Sequence, residues 1–226
     1  MAASLFAVLA LVLIAFCLFN TSNNSKTNYT YKNQSGTFIV IYIEEKKLYL
    51  FKDNVCIKVY PIASGKRESP SPVGQWKIVE KMDWGEGFGG CWLGLNVTWG
   101  KYGIHGTTKE DTIGFAASHG CIRMLNKDVR DLYGIVSIGT PVNIKNGPYG
   151  AFGTGFRKLI PGDRGADVLA VQLRLKELGY YKGWESGIYE YELQAALNQF
   201  QKNKGLKVKY TITKDDYLAM GFTEME

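Results

Sequence analysis

The hydrophobic period of this chain changes once, near residue 150, and that change constrains the fold more than any other feature. Between residues 37 and 144, short β-branched and aromatic runs alternate with glycine-rich turns. Phe38-Ile39-Val40-Ile41-Tyr42-Ile43 and Lys47-Leu48-Tyr49-Leu50-Phe51, separated by Glu44-Glu45-Lys46, read as a hairpin. Residues 55–63, 76–80, 91–95, 102–105 and 140–144 read as further strands. One helix interrupts them, with Asn126 as its N-cap, Val129, Leu132 and Tyr133 on one face, and Gly134 as its stop. So many strands without long helices between them predict an antiparallel sandwich or barrel.

Residues 146–155 are glycine-rich, and beyond them the period becomes helical. Val168, Val171, Leu175 and Leu178 form one stripe ending at Gly179; Leu193, Ala196, Leu197 and Phe200 form a second ending at Gly205. Thr213 with Asp216 three residues later has the form of a capping box for a short third helix. Three such helices over about 65 residues just suffice to close a core. The aromatic residues Tyr180, Tyr181, Trp184 and Tyr189 divide between packing there and stacking on a ligand. Lys202, Lys204, Lys207 and Lys209 read as a solvated face.

Residues 2–19 carry no charge and include Ser4 as their one hydroxyl residue. The stretch is long enough to span a bilayer and lacks the polar face of a surface helix. No small-x-small cleavage site follows over residues 20–25, so an uncleaved anchor is expected in preference to a signal peptide. Lys26 and Lys32 follow the span while no cation precedes it, so the charge rule does not itself favour export. Residues rich in Asn, Ser, Thr and Lys follow it as a flexible tether. The net charge of +6 suits an anionic polymer or a membrane surface. No dense Arg/Lys stripe with interleaved aromatics appears, and nucleic acid is not an expected partner.

The chemistry concentrates near Cys121. The chain has two histidines, His105 and His119, and both fall within the sixteen residues before that cysteine. A thiol becomes a useful nucleophile when an imidazole takes its proton. Cys121 is the expected nucleophile and His105 the better-placed base; His119, two positions away, is the alternative. No Asp or Asn is placed to orient His105, which leaves a backbone carbonyl to fix its tautomer. Backbone amides at His119, Gly120 and Cys121 are the expected oxyanion donors. Arg123 is suited to clamp a substrate carboxylate, or else forms an ordinary ion pair. Ser118 and Thr107 either bond substrate or satisfy local backbone. A zinc site on His105, His119 and Cys121 lacks the second spaced ligand pair such sites carry, and no metal or cofactor is expected. Cys56 and Cys91 sit in apolar runs and read as packed thiols, with a disulfide between them left open.

Tyr102-Gly103-Ile104-His105-Gly106-Thr107, Ile113-Gly114 and Ser118-His119-Gly120-Cys121-Ile122-Arg123-Met124 resemble the active-site block of the L,D-transpeptidases. The likeness continues through Asn126-Lys127-Asp128-Val129 to Gly139-Thr140-Pro141-Val142. Sortases share the chemistry, but their cysteine follows Thr-Leu-Thr. Pro161-Gly162-Asp163-Arg164-Gly165, Leu178-Gly179-Tyr180-Tyr181 and Phe200-Gln201 resemble a three-helix peptidoglycan-binding domain.

The expected fold is therefore an α+β multidomain chain. A mainly antiparallel β-sandwich catalytic domain precedes a small three-helix domain, with an N-terminal transmembrane helix ahead of both. The expected divisions are 1–20 anchor, 21–35 tether, 36–145 catalytic domain, 146–158 linker and 159–226 binding domain. The resemblance implies that Cys121, helped by His105 and His119, cross-links peptidoglycan stems, with Gly106, Thr107, Ser118, Gly120 and Arg123 around the substrate. It implies stem peptides and glycan as partners, acylation of Cys121 by carbapenems, and an outward-facing enzyme on the cell membrane, or one secreted to the wall after signal cleavage. A carboxypeptidase using water, or a non-enzymatic wall-binding protein, are the alternative readings.

Overall fold

A computed structural model describes residues 35–153 and 155–223. The anchor expected over 1–20, and the tether as far as residue 34, lie outside the described residues. Among the described residues, no helix is long and apolar enough to cross a membrane.

The first part of the chain is β-rich. β1 (Thr37–Tyr42) and β2 (Lys47–Lys52) form the expected hairpin and are buried along their centres, as their unbroken apolar runs require. Ile39, Ile41, Leu48 and Leu50 face the main core; Phe38, Val40, Tyr49 and Phe51 form a smaller cluster on the other face. β3 (Val55–Pro61) lies at one edge, followed by the two-residue β4 (Ser64–Gly65). β5 (Gly74–Met82), β6 (Trp92–Leu95), β7 (Tyr102–Thr107), β8 (Ala116–Ser118), β9 (Ile122–Leu125) and β10 (Pro141–Lys145) complete the set.

Among the described residues the main ladder runs β3-β2-β1-β10-β5-β6-β7-β9, with β4 paired to β8 beside it. β5 serves both halves: its first residues pair with β10, and an irregularity between Ile78 and Glu80 re-aims the rest toward β6. Most pairings are antiparallel, as expected. The exceptions are β1 with β10, β7 with β9, and β4 with β8, which are parallel and join segments distant in sequence.

The helix α1 (Asn126–Ile135) corrects the expected caps. Leu125 occupies the cap position, without a side-chain bond, and the helix passes through Gly134. The Asn126 side chain instead presses on two glycines, so close that a Cβ on Gly106 would meet its Oδ1 at 2.4 Å. Cys56 and Cys91 are free thiols.

The second part is helical. α2 (Ala166–Glu177), α3 (Tyr191–Asn203) and α4 (Lys214–Ala219) surround Val168, Val171, Leu175, Leu193, Leu197 and Phe200. Leu159 bridges Ile212, tying the start of this unit to its end. The capping box at α4 is present: the Thr213 N–H donates to Asp216 Oδ2 at 2.8 Å. Tyr181 and Tyr189 pack in this core, while Trp184 is 70% exposed.

Candidate active site

The parallel pairing of β7 with β9 builds the site. Ile104 lies beside Ile122 and His105 beside Arg123. Alternation sends Ile104, Ile122 and Met124 into the core and places His105 and Arg123 on the opposite face. Cys121 immediately precedes β9, next to Gly103 of β7, and its thiol is hydrogen-bonded to the Gly103 backbone. The nucleophile and base expected from sequence are thus carried by adjacent strands. Both lie within the electrostatic reach of Arg123.

His105 is buried, and its Nδ1 lies 2.6 Å from the Gly106 carbonyl oxygen. A carbonyl only accepts, so Nδ1 carries the proton and the Nε2 lone pair is left to take one. Burial pushes the imidazole below its ordinary value; the Gly106 bond opposes this and the Arg123 charge adds to it. Burial pushes the Cys121 thiol up, with the Gly103 bond and Arg123 pulling it back. Both shifts favour the uncharged forms, a neutral thiol beside a neutral imidazole. The Arg123 guanidinium has no carboxylate partner among the described residues.

Ser118 holds the turn that presents Cys121. Its buried hydroxyl accepts from the Gly120 N–H at 3.0 Å and donates to the Cys121 carbonyl at 2.6 Å. Gly120 has φ +114, and a Cβ there would lie 2.6 Å from the Tyr102 ring. Both facts demand glycine. The Gly120 amide is bound by the Ser118 hydroxyl, so the residue shapes the turn. Ser118 is likewise occupied by backbone, and Thr107 accepts the Lys109 N–H at 3.1 Å. Gly106 supplies the carbonyl that fixes the His105 tautomer. His119 is exposed on the outer side of the turn.

An aromatic wall was not foreseen. Phe88 stands edge-on to His105 at 4.9 Å, Trp92 lies 5.9 Å away, and Trp84 stacks on Trp92 at 4.0 Å. Lys101 sits over the Trp84 ring at 4.4 Å, and Trp92 donates to Glu80 at 2.6 Å. The run Trp84-Gly85-Glu86-Gly87-Phe88-Gly89-Gly90 carried the signal, because aromatics between glycines mark a loop built for close approach. Among the described residues, no three His, Cys, Asp or Glu side chains are grouped to hold a metal ion.

A family profile described as "L,D-transpeptidase catalytic domain" matches residues 36–144, and one described as "Putative peptidoglycan binding domain" matches residues 164–208. The chain is 45% identical over 107 residues to "Putative L,D-transpeptidase YkuD" of Bacillus subtilis, covering 47% of this chain and 64% of that protein. It thus spans just under two thirds of that relative's length. It is 32% identical over 123 residues to "Putative L,D-transpeptidase YqjB" of the same organism, covering 47% of this chain and 70% of that protein. The chain belongs to the L,D-transpeptidase family, its YkuD-type catalytic domain followed by a peptidoglycan-binding domain of the PG_binding_1 type.

Proposed function

We propose that this chain is a peptidoglycan L,D-transpeptidase with Cys121 as nucleophile and His105 as general base. The observation that carries the reading is the His105–Gly106 carbonyl bond, which leaves Nε2 as acceptor on the strand beside the cysteine. Nε2 takes the thiol proton as sulfur attacks the carbonyl of the third residue of a tetrapeptide stem. The C–S bond forms, the C–N bond to the terminal D-alanine breaks, and the proton passes to the leaving amine. An amine of a second stem then attacks the thioester; C–N forms, C–S breaks, and the amine's proton returns through His105 to the sulfur. The oxyanion is assigned to the backbone amides of His119 and Cys121, the Gly120 amide being spent on Ser118. Arg123, without a carboxylate partner of its own among the described residues, receives a substrate carboxylate. The same thiol would be acylated by carbapenems. The wall substrate and the apolar stretch over residues 2–19 together support an outward-facing, membrane-held enzyme.

Product analysis tests the reading. Incubated with disaccharide-tetrapeptide, the full chain is expected to release D-alanine and yield cross-linked dimers, and Cys121→Ala to yield none. Shortened monomers alone would assign it as a carboxypeptidase using water. Unchanged substrate, from a folded sample, would leave a wall-binding protein.

A further inference from the structure

Two side chains of α1, one turn apart on the same face, meet the glycine-rich loop of residues 85–90. Arg130 Nε donates to the Gly89 carbonyl at 3.1 Å. Asn126 Oδ1 would lie 2.6 Å from a Cβ on Gly89 and 2.4 Å from one on Gly106. It fills the space both side chains would need, and so wedges between the loop and β7. This oxygen is buried and has no hydrogen-bond partner among the described residues. An unmet acceptor costs the fold stability, which argues that the position serves more than the fold.

The loop needs such external support. Gly85, Gly89 and Gly90 have φ of +75, +68 and +69, values that other residues adopt at a cost. Its internal bonds make little more than one turn, with the Phe88 and Gly90 N–H groups donating to the Gly85 carbonyl at 3.1 and 2.8 Å. A segment this rich in glycine loses much freedom on ordering, so its position depends on what holds it from outside.

The loop carries Phe88 to the base. The ring stands edge-on to His105 at 4.9 Å and is itself 38% exposed, so it forms the solvent side of the imidazole's cover. Gly106, the other glycine beneath Asn126, supplies the carbonyl bound to His105 Nδ1. Arg123 acts on the imidazole from β9, where the Cys121 thiol also lies. Glu80 accepts from Trp92 and pairs with Lys101 at 3.8 Å. Asp83 accepts the Gly85 N–H at 2.8 Å, and Glu86 is exposed.

The structure assigns Asn126 and Arg130 as positioning residues for His105: from α1 they hold the 85–90 loop so that Phe88 fixes and covers the imidazole that serves Cys121. The assignment rests on the reading of His105 as general base. Arg130 acts through the loop alone, and Asn126 through the loop and Gly106 together.

The test uses Arg130→Ala, Asn126→Ala, Phe88→Ala and the double variant Arg130→Ala/Phe88→Ala in the full chain. Acyl-enzyme formation from disaccharide-tetrapeptide is followed by intact mass across pH. Arg130 and Phe88 are exposed, so removing them leaves the core intact. Each single change is expected to slow acylation by about tenfold, because the base is no longer held in place. Arg130→Ala and Phe88→Ala should also move the acidic limb to higher pH. Burial is the chief cause holding the imidazole down, so an uncovered ring takes its proton at higher pH. The double variant should match Phe88→Ala alone, since Arg130 then has no ring left to position. Parent rates in Arg130→Ala or Asn126→Ala, or a limb that stays in place in Arg130→Ala, would overturn the assignment and leave His105 as base. An Arg130→Ala effect that persists in full on top of Phe88→Ala would overturn it too, marking an effect of charge or stability. A parent protein that forms no acyl-enzyme, or forms it equally well as His105→Gln, would remove the base reading and this assignment with it.

Discussion

The glycines of the two domains do different work, and the contrast separates structure from catalysis. Gly205 ends α3 at φ +68 with open space where a Cβ would go. It is a helix stop and nothing more. Gly120 has φ +114 and a Tyr102 ring within 2.6 Å of its would-be Cβ, and its amide is bound by Ser118. The first glycine satisfies a local backbone rule; the second holds the proposed nucleophile against another strand. The helical domain is built largely from such local rules. The turn before Cys121 depends on β7 meeting β9, which no local pattern announces.

Substitutions can sharpen this contrast, beginning with the largest effect. His105→Gln removes the base while keeping a polar side chain, and acyl-enzyme formation is expected to fall by about a thousandfold with thermal stability nearly unchanged. Retention of activity there would shift the role to His119. Gly120→Ala is expected to cost about a hundredfold in acylation, since displacement of the turn misplaces the thiol. The matched Gly205→Ala should leave acylation intact and cost only about 1 kcal/mol of stability in a denaturant titration. Equal effects at the two glycines would break the contrast.

Ser118→Ala deletes two hydrogen bonds within the turn, and about 2 kcal/mol of stability is expected to go with them. Acylation should fall in that variant even though both proposed catalytic side chains remain.

The pH profile gives a subtler effect. His105 is held below its ordinary value of 6.5, chiefly by burial, so the acidic limb of the acylation rate should lie below that pH. Arg123 pushes the imidazole further down, because a nearby cation disfavours the protonated ring. Arg123→Gln should therefore move the acidic limb to higher pH. A limb that stays in place, or moves down, would contradict the placement of Arg123 beside His105.

The smallest effect is expected at the far end of the chain. Thr213→Ala should cost about 1 kcal/mol by opening the α4 capping box, without altering acylation.

What the sequence made legible follows the same division. The hairpin of β1 and β2 was readable because its strands are continuous and adjacent, and the α2 and α3 stripes because each repeats within one helix. β4, β8 and β9 are two to four residues long and pair in parallel with partners elsewhere, so neither length nor period marked them. The α1 boundaries were misread because Asn126 was judged by capping preference, whereas tertiary contact with two glycines claims its side chain. Cys121, His105 and Arg123 were visible as residue types at a telling spacing. Their supports were not: the Gly106 carbonyl and the Gly103 backbone are groups every residue owns, and only pairing reveals which are used. The contact of Trp99 with Gly187, where a Cβ would lie 2.2 Å from the ring, was equally hidden, since a tryptophan in a β-rich segment reads as core.

The most direct measurement is the intact mass of the full chain after brief exposure to disaccharide-tetrapeptide, followed by digestion to locate the modified residue. The account predicts an adduct equal to substrate minus D-alanine, carried by the peptide containing Cys121, and absent in both Cys121→Ala and His105→Gln. An adduct on another residue, or one formed at the parent rate without His105, would contradict it.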